Sequence, residues 1–234
     1  MIHVVPRSLL SSYNEGLPMS SSIFDVVAPY TLIGDEQLAT LYELSLTVSD
    51  ASIPGDIVEA GVCNGGSAAL IAQPHAHNDT RRLYLYDTFE GIPPATPEDG
   101  HLAQSHTGAW KGAQDKVREV LALVGYPDKS VVWRKGVFAA TMALGQPLPA
   151  RIALLHCDAD WFSSVLLALR TFYPLVSDGG YVVLDDWGHW QGCRKAFYTW
   201  SAETGETPLL ERTGRYGVWW QKNRISNVPN RDMQ

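Results

Sequence analysis

Apolar residues follow two alternating patterns along the chain between residues 35 and 200. Short apolar runs predict strands near 56–60 and at 83–86, 131–137, 152–157 and 181–184. Segments with apolar residues at helical spacing predict helices at 35–48, 68–72, 116–124, 163–173 and 191–200. Two short apolar runs, at 208–212 and 217–221, flank a glycine-containing turn and predict a closing hairpin. Proline and glycine predict a long loop at 91–112, and glycines predict a turn at 178–180.

The alternation of strands and helices predicts an α/β fold. We expect a doubly wound, mainly parallel, seven-stranded sheet with a C-terminal antiparallel hairpin, which is a Rossmann-like arrangement. A chain of 234 residues suits one domain of this kind. Residues 31–234 are expected to form that domain, and the preceding segment 1–30 is expected to be an arm or lid.

The composition limits which binding partners and which cellular compartment we expect. The net charge of −7 disfavours nucleic acid as a partner, because phosphate binding requires a basic face. The three cysteines are an odd number and form no CxxC motif, which predicts reduced thiols in a cytoplasmic protein. We find no signal peptide in the first thirty residues and no run near the roughly 20 apolar residues of a membrane span. We therefore expect a small-molecule partner and no membrane.

Carboxylates follow two of the predicted strands. The run that ends at Cys157 is followed by Asp158 and Asp160, and the run 181–184 is followed by Asp185 and Asp186. Because the carboxyl ends of parallel strands meet at one edge of a sheet, we expect these side chains to lie close together. Like charges in such a cluster are unfavourable unless they hold a cation, so the sequence predicts a divalent metal site.

A glycine-rich turn follows the first predicted strand, with the spacing Glu59-x-Gly61-x-x-x-Gly65-Gly66. Its glycines let a ligand approach the backbone, and the next helix offers free N–H groups. Cys63 replaces the middle glycine of a dinucleotide turn and no P-loop lysine follows, which disfavours a pyrophosphate ligand. Asp87, after the second strand, is placed to accept hydrogen bonds from two ribose hydroxyls. A ligand with a ribose and no phosphate, S-adenosylmethionine, fits this pattern.

Four segments carry long, ordered motifs. They are IPGDIVEAGVCNGGS at 53–67, YDTFEGIP at 86–93, DADWF at 158–162 and GGYVVLDDWGHWQGCRKA at 179–196. Together they resemble the macrocin O-methyltransferase (TylF-type) family over about residues 30–200. The resemblance implies a class I, S-adenosylmethionine-dependent enzyme that uses Mg²⁺. It also implies methylation of sugar hydroxyls in the biosynthesis of antibiotics and other natural products.

The resemblance also implies roles for individual residues. The expected cofactor-binding residues are Glu59, Gly61, Gly65, Ser67, Asp87 and Thr88. The expected metal ligands are Asp158, Asp185 and Asp186.

For the base that takes the proton of the sugar hydroxyl, Asp158 is the first candidate and His189 the second. Asp160 either binds substrate or caps the following helix, and Trp110 either stacks on the adenine or lines the pocket.

Other functions are compatible with parts of the sequence. Asp158-Ala-Asp160 is also the DxD pattern of metal-dependent glycosyltransferases, but that function leaves Asp87 and the glycine turn unexplained. A catechol or phenol O-methyltransferase shares the same metal chemistry. A non-catalytic binding protein is a further alternative, against which the intact carboxylates argue. The expected acceptor is a sugar, either in a natural-product glycoside or in a nucleotide sugar, and the protein is expected to be a homo-oligomer.

Overall fold

One seven-stranded sheet forms the centre of the molecule. The computed structural model describes residues 22–78, 80–143 and 145–223. The strands are β1 (Asp56–Ala60), β2 (Leu83–Asp87), β3 (Val131–Lys135), β4 (Ile152–Cys157), β5 (Val176–Leu184), β6 (Glu211–Thr213) and β7 (Gly217–Gln221). Their order in the sheet is β3-β2-β1-β4-β5-β7-β6. The first five strands are parallel, while β7 pairs antiparallel with both β5 and β6. The predicted α/β fold and its antiparallel C-terminal hairpin are confirmed.

Helices cover both faces of this sheet. They are α1 (Ile23–Val27), α2 (Asp35–Asp50), α3 (Gly66–Ala72), α4 (Gln114–Leu123), α5 (Phe138–Thr141), α6 (Phe162–Phe172) and α7 (Gln191–Thr204). The helices α1 to α4 pack on one face, and α6 and α7 pack on the other. Successive residues of β1 point to opposite faces, with Ile57 in the first core and Val58 in the second. Burial on both faces explains why the central strands read as continuous apolar runs.

The order of the strands positions the functional site. The chain moves outward from β1 through β2 to β3, and then returns to place β4 on the other side of β1. Such a reversal leaves a crevice at the carboxyl ends of the two central strands, where ligands of doubly wound proteins bind. Hydrogen bonds continue across this edge, since Asp158 N donates to Ala60 O and Asp185 N donates to Cys157 O. The ends of β1, β4 and β5 are therefore adjacent.

Three local features differ from the sequence-based expectation. The residues 178–180 do not form a separate turn but a bulge within β5, because Ile152 pairs with Val176 while Leu154 pairs with Tyr181. The short helices α1 and α5 were not predicted. Ile23 and Val27 of α1 are buried in the core, so this part of the predicted arm packs against the domain. Residues 1–21 of that arm lie outside the described residues.

Among the described residues, no helix is both long enough and apolar enough to cross a bilayer.

Candidate active site

A large cavity opens at the carboxyl ends of β1, β4 and β5. Its volume is about 860 Å³, which lies in the range of small-molecule binding sites. It is lined by the segments 30–37, 61–63, 87–88, 91–93, 137–139, 158–160, 185–186, 189–190 and 214–216, and by Ser67, Trp110, Ser163, Ser164 and Leu167. Residues that follow all five parallel strands therefore share one cavity with the long loop and with the hairpin.

Three carboxylates lie together in this cavity. Asp158, Asp160 and Asp186 each place one oxygen within 4.8 Å of the others. The ends of β4 and β5 are adjacent in the sheet, which brings the carboxylates of two distant segments to one point. Asp160 has a φ of +54°, an unusual backbone conformation for a residue other than glycine. The predicted acidic cluster is present, with Asp160 as a member.

The electrostatics of this cluster favour a cation. Burial and then the charges of Asp185 and Asp160 hold the pKa of Asp158 well above its usual range. Burial and the charges of Asp160 and Asp158 do the same to the pKa of Asp186. Burial raises the pKa of Asp160 to about 7, although a hydrogen bond from Trp190 opposes this rise. Each of these carboxylates is thus less stable as an anion here than in water, and a bound cation would reverse that penalty.

Asp185 lines the same cavity but is not one of the three grouped carboxylates. Its Oδ1 accepts a hydrogen bond of 2.8 Å from Nε2 of Gln37, on helix α2. The same oxygen lies 3.7 Å from Nε2 of His156. Of the predicted metal ligands, the structure thus groups Asp158 and Asp186, whereas the carboxylate of Asp185 is directed to Gln37 and His156.

Glu59 and His156 form a buried pair between β1 and β4. The parallel register places the two residues side by side, and Nδ1 of His156 lies 2.8 Å from Oε1 of Glu59. Both side chains are 0% exposed. Burial alone would lower the pKa of His156, but Asp185 and Glu59 together raise that pKa to about 10. Glu59, predicted to bind cofactor, does not line the cavity, and its side chain is paired with His156 inside the sheet.

The glycine turn lines the same cavity, next to the end of β4. Gly61 has a φ of +91°, and a Cβ atom there would lie 1.7 Å from the carbonyl oxygen of Asp158. Only glycine permits this close contact between the end of β1 and the end of β4. Gly61 and Ser67 line the cavity, as expected for cofactor-binding residues. Gly65 does not line it, because it packs against Val117 of α4.

Asp87 joins the glycine turn to the end of β2. Its Oδ2 accepts hydrogen bonds from the backbone N–H groups of Val62 and Cys63, at 2.7 and 2.8 Å. Its Oδ1 accepts a bond of 2.6 Å from Phe89 N. A carboxylate offers about four acceptor positions, so Asp87 can still accept a ligand hydroxyl. Asp87 and the neighbouring Thr88 both line the cavity.

His189 lies on the wall of the cavity near the hairpin. Its ring contacts the rings of Trp190 and Tyr216, with centroid distances of 4.4 and 4.6 Å. Burial, followed by the nearby His106 and Arg215, lowers the pKa of His189. The side chain is therefore neutral at pH 7 and able to accept a proton.

Several residues around the cluster were not singled out by our sequence analysis as supports of the site. Gln37 holds Asp185, and Nε1 of Trp190 donates a hydrogen bond of 3.0 Å to Oδ1 of Asp160. His156 and Glu59 carried a detectable signal, because each is an ionisable residue within an otherwise apolar strand. Gln37 carried none, since it is one polar residue on an amphipathic helix.

The fold and the site together define a class of enzyme. A doubly wound sheet with an antiparallel seventh strand, whose glycine turn shares a cavity with carboxylates, is the architecture of class I methyltransferases. The solved structure of the O-methyltransferase NovP matches with a TM-score of 0.75 and 29% identity, over 83% of each chain. This similarity confirms the predicted fold class.

Sequence comparison identifies the family. The family model described as Macrocin-O-methyltransferase (TylF) matches residues 25–222, so the chain belongs to this family and is an O-methyltransferase. A relative from Streptomyces olivaceus, 8-demethyl-8-(2,3-dimethoxy-alpha-L-rhamnosyl)-tetracenomycin-C 4'-O-methyltransferase, is 31% identical over 205 residues, or 84% of this chain and 77% of the relative. Demethyldecarbamoylnovobiocin O-methyltransferase from Streptomyces niveus is 30% identical over 204 residues, or 83% and 76% of the two chains. The resemblance found in the motifs is confirmed.

Proposed function

We propose that this protein transfers the methyl group of S-adenosylmethionine to a sugar hydroxyl of a natural product, with the help of Mg²⁺. The observation that carries the proposal is the direct contact between Gly61 of the glycine turn and Asp158 of the acidic cluster. This contact supports a site for the methyl donor beside a site for a metal and an acceptor, within one cavity. The tetracenomycin relative, whose name includes a rhamnosyl group, supports a sugar as the acceptor.

The methyl donor fits the side of the cavity formed by β1, β2 and α3. Gly61 exposes its backbone there, and Ser67 lies in the first turn of α3, where backbone N–H groups are free to bind a ligand. Asp87 keeps acceptor capacity for ribose hydroxyls, although backbone donors already occupy part of its carboxylate. Thr88 lines the same wall. Glu59 does not line this wall, because its side chain is bonded to His156 of β4.

The acidic cluster fits a hard divalent cation. Its donors are carboxylate oxygens, which Mg²⁺ prefers, and Oδ2 of Asp186 is buried without a hydrogen-bond partner among the described residues. In this structure Asp158, Asp160 and Asp186 would hold the ion. The family resemblance instead implies Asp158, Asp185 and Asp186, so the two sets differ in their third ligand. A bound Mg²⁺ would lower the pKa of an acceptor hydroxyl.

The protein residues then have two tasks in the transfer. They hold the acceptor oxygen in line with the methyl carbon, and such positioning can contribute about 7–11 kcal/mol to lowering a barrier. They also take the proton of the hydroxyl as the new O–C bond forms and the C–S bond of the donor breaks. Asp158 is our first candidate for this base because it lies in the cluster. His189 is the second, because its lowered pKa keeps it neutral.

The alternatives are less well supported. A glycosyltransferase does not agree with membership of an O-methyltransferase family. A catechol or phenol would use the same carboxylates, but the tetracenomycin relative favours a sugar. The oligomeric state stays a prediction, which sedimentation equilibrium measures directly.

The test is methyl transfer with and without metal. The purified protein is incubated with S-adenosylmethionine and a panel of glycosides, phenols and nucleotide sugars, and methylated products are detected by mass spectrometry. We expect a sugar product with Mg²⁺, no product in EDTA, and recovery when Mg²⁺ is added back. Full activity in EDTA would contradict the metal, and methylation of phenols alone would contradict the sugar.

A further inference from the structure

The backbone at Asp160 forms a strained turn. Trp161 N donates a hydrogen bond of 2.6 Å to Ala159 O, and Asp160, which lies between these residues, has a φ of +54°. A hydrogen bond of this span around a residue with positive φ defines a γ-turn of the rare, strained kind. Strain of this sort persists only where the surrounding structure holds it. The contacts that hold this turn therefore determine where the carboxylate of Asp160 lies.

Asp99 holds the residue that follows this turn. Its Oδ1 accepts a hydrogen bond of 2.6 Å from Phe162 N, at the start of α6. The first N–H groups of a helix have no partner within the helix, and Trp161, the residue before α6, provides no side-chain cap. A carboxylate is well suited to this position. The cap of α6, one of the two roles expected for Asp160, thus comes from a residue 63 positions before Phe162.

The other oxygen of Asp99 is held by its own segment, residues 91–112, which we call the β2–α4 loop. Oδ2 of Asp99 accepts hydrogen bonds from the backbone N–H and the hydroxyl of Thr96, at 2.8 and 2.7 Å. Asp99 is 2% exposed. Three donors therefore fix the orientation of one buried carboxylate, which joins the β2–α4 loop to the start of α6.

Close packing against α7 restricts Asp99 further. A Cβ atom on Gly192 of α7 would lie 1.9 Å from Oδ1 of Asp99. The next residue of the loop is equally close to the same helix, since a Cβ atom on Gly100 would lie 1.9 Å from Nε2 of Gln191. The start of α7 thus contacts Asp99 and Gly100 and helps to keep the carboxylate at α6.

Two tryptophans contact the same turn. Nε1 of Trp161 donates a hydrogen bond of 2.7 Å to Pro93 O, in the β2–α4 loop. The ring of Trp161 contacts the ring of Trp190 at a centroid distance of 5.0 Å, and Trp190 donates a hydrogen bond to Oδ1 of Asp160. The loop therefore holds the backbone of the turn at two points, Pro93 and Asp99, while Trp190 directs the carboxylate.

We infer that Asp99 is a positioning residue of the proposed cation site, because it holds the turn at Asp160. The turn keeps the carboxylate of Asp160 beside those of Asp158 and Asp186. Asp99 does not line the cavity, so it acts through Asp160 and not through contact with a ligand. This inference rests on the proposed function, since it names a residue on which the Mg²⁺ site of that function depends.

The first experiment measures cation binding directly, with Mn²⁺ as the probe and electron paramagnetic resonance as the readout. Asp99→Ala should raise the Kd of Mn²⁺ about tenfold, because the turn at Asp160 loses its cap. Asp99→Asn should raise it only about threefold, because one amide oxygen cannot accept the bonds of both Phe162 and Thr96. The Kd of S-adenosylmethionine, measured by calorimetry, should stay the same in both variants and shows that they are folded.

The second experiment tests whether Asp99 acts through Asp160. Asp160→Asn removes the charge of the carboxylate that the turn positions. In this background, Asp99→Ala should cause no further change in the Kd of Mn²⁺, because the two residues then act as one unit. A general effect of Asp99 on the fold would instead raise the Kd by the same factor in both backgrounds.

Two control variants match Asp99. Asp25 forms a capping box with Ser22 at the start of α1, as Asp99 does with Thr96, and Asp25 does not line the cavity. Asp25→Ala therefore removes the same local motif elsewhere. Glu98→Gln removes one negative charge from an exposed position next to Asp99. Both should leave the Kd of Mn²⁺ close to that of the wild type, since exposed charges are screened by salt.

The outcomes separate this inference from the proposed function. Wild-type Mn²⁺ affinity in Asp99→Ala, or equal losses in both backgrounds, would overturn the inference and leave the metal in place. Unchanged affinity in Asp160→Asn would do the same. If Asp99→Ala does not fold, Asp99→Asn replaces it in the cycle, and wild-type affinity in that variant is the contradicting result. Failure of the wild-type protein to bind Mn²⁺ would instead overturn the metal of the proposed function.

Discussion

Nδ1 of His156 lies 2.8 Å from Oε1 of Glu59, and neither side chain is exposed to solvent. Ionisable groups are rarely buried in this way unless they are paired, because removing a charge from water is costly. The pair joins β1, which leads into the glycine turn, to β4, which leads into Asp158. One buried pair thus joins the strand before the glycine turn to the strand before the acidic cluster.

The first prediction concerns the stability that depends on this pair. Glu59→Leu and His156→Leu should each lower the free energy of unfolding by about 3–5 kcal/mol, because each leaves a buried partner uncompensated. The double variant Glu59→Leu/His156→Leu should lose less than the sum of the two single losses. Urea denaturation measures these values. Glu203→Gln, which breaks an exposed ion pair with Arg170, is the control and should change little. Additive losses would show that the pair does not act as a unit.

The second prediction distinguishes the two candidate metal sets. Asp160→Asn should weaken Mn²⁺ binding at least about tenfold, because its carboxylate lies with those of Asp158 and Asp186. Asp185→Asn should weaken binding less, since Asp185 is directed to Gln37. Titration of Mn²⁺ followed by electron paramagnetic resonance measures both. A larger effect of Asp185→Asn would support the ligand set that the sequence motif implies.

The third prediction concerns the methyl donor. Asp87→Asn removes the charge of a carboxylate that lies on the cavity wall, and it should raise the Kd of S-adenosylmethionine about tenfold or more. Mn²⁺ affinity should stay the same. Asp56→Asn is the matched control, because Asp56 also accepts a backbone N–H bond but lies at the other end of β1. Calorimetry of donor binding provides the measurement, and equal affinity in Asp87→Asn and the wild type would refute the assignment.

The fourth prediction concerns the close contact at Gly61. Gly61→Ala should prevent folding or greatly reduce stability, because its Cβ atom would lie 1.7 Å from Asp158 O and φ is +91°. Gly205→Ala is the control for the backbone alone, since Gly205 has a φ of +75° and nothing within 4 Å. It should cost only about 1–2 kcal/mol. Thermal unfolding compares the two variants, and similar losses would show that the contact with β4 is unimportant.

The fifth prediction is a pH dependence of stability. His75 is buried, and burial followed by Arg81 lowers its pKa to about 3. Ser45 donates to Ile71 O, so the neutral ring donates from Nε2 to Ser45. The unfolded chain binds a proton near pH 6.5 and the folded chain does not. Stability should therefore fall as the pH decreases from about 6.5 towards 3, by up to about 1.4 kcal/mol per pH unit.

His75→Gln should remove this contribution to the slope. His77→Gln, which changes an exposed histidine two residues later, should leave the slope unchanged. Urea denaturation at a series of pH values measures both variants. An equal slope in His75→Gln and the wild type would contradict the prediction.

The pattern of apolar residues predicted all seven strands of the described residues, five of their seven α-helices and the edge of the sheet that carries the candidate site. The apolar run 152–157 predicted β4 to the residue, because a strand buried on both faces needs a continuous apolar segment. The glycine turn and the carboxylates at 158, 185 and 186 were placed at one edge because each follows a predicted strand, and the carboxyl ends of parallel strands meet at one edge of a sheet. These signals are local, since each depends on residues adjacent in the chain.

The partners of individual side chains depended on segments that are distant in the chain. The pairing of Glu59 with His156 follows from the register between β1 and β4, and the direction of Asp185 follows from Gln37 on α2. The bulge at 178–180 likewise arises from pairing with β4 rather than from a turn. The sequence therefore predicted which strands end in carboxylates. Which three of them meet was decided by packing between β4, β5 and α2, because a carboxylate turns towards whichever donor the fold places beside it.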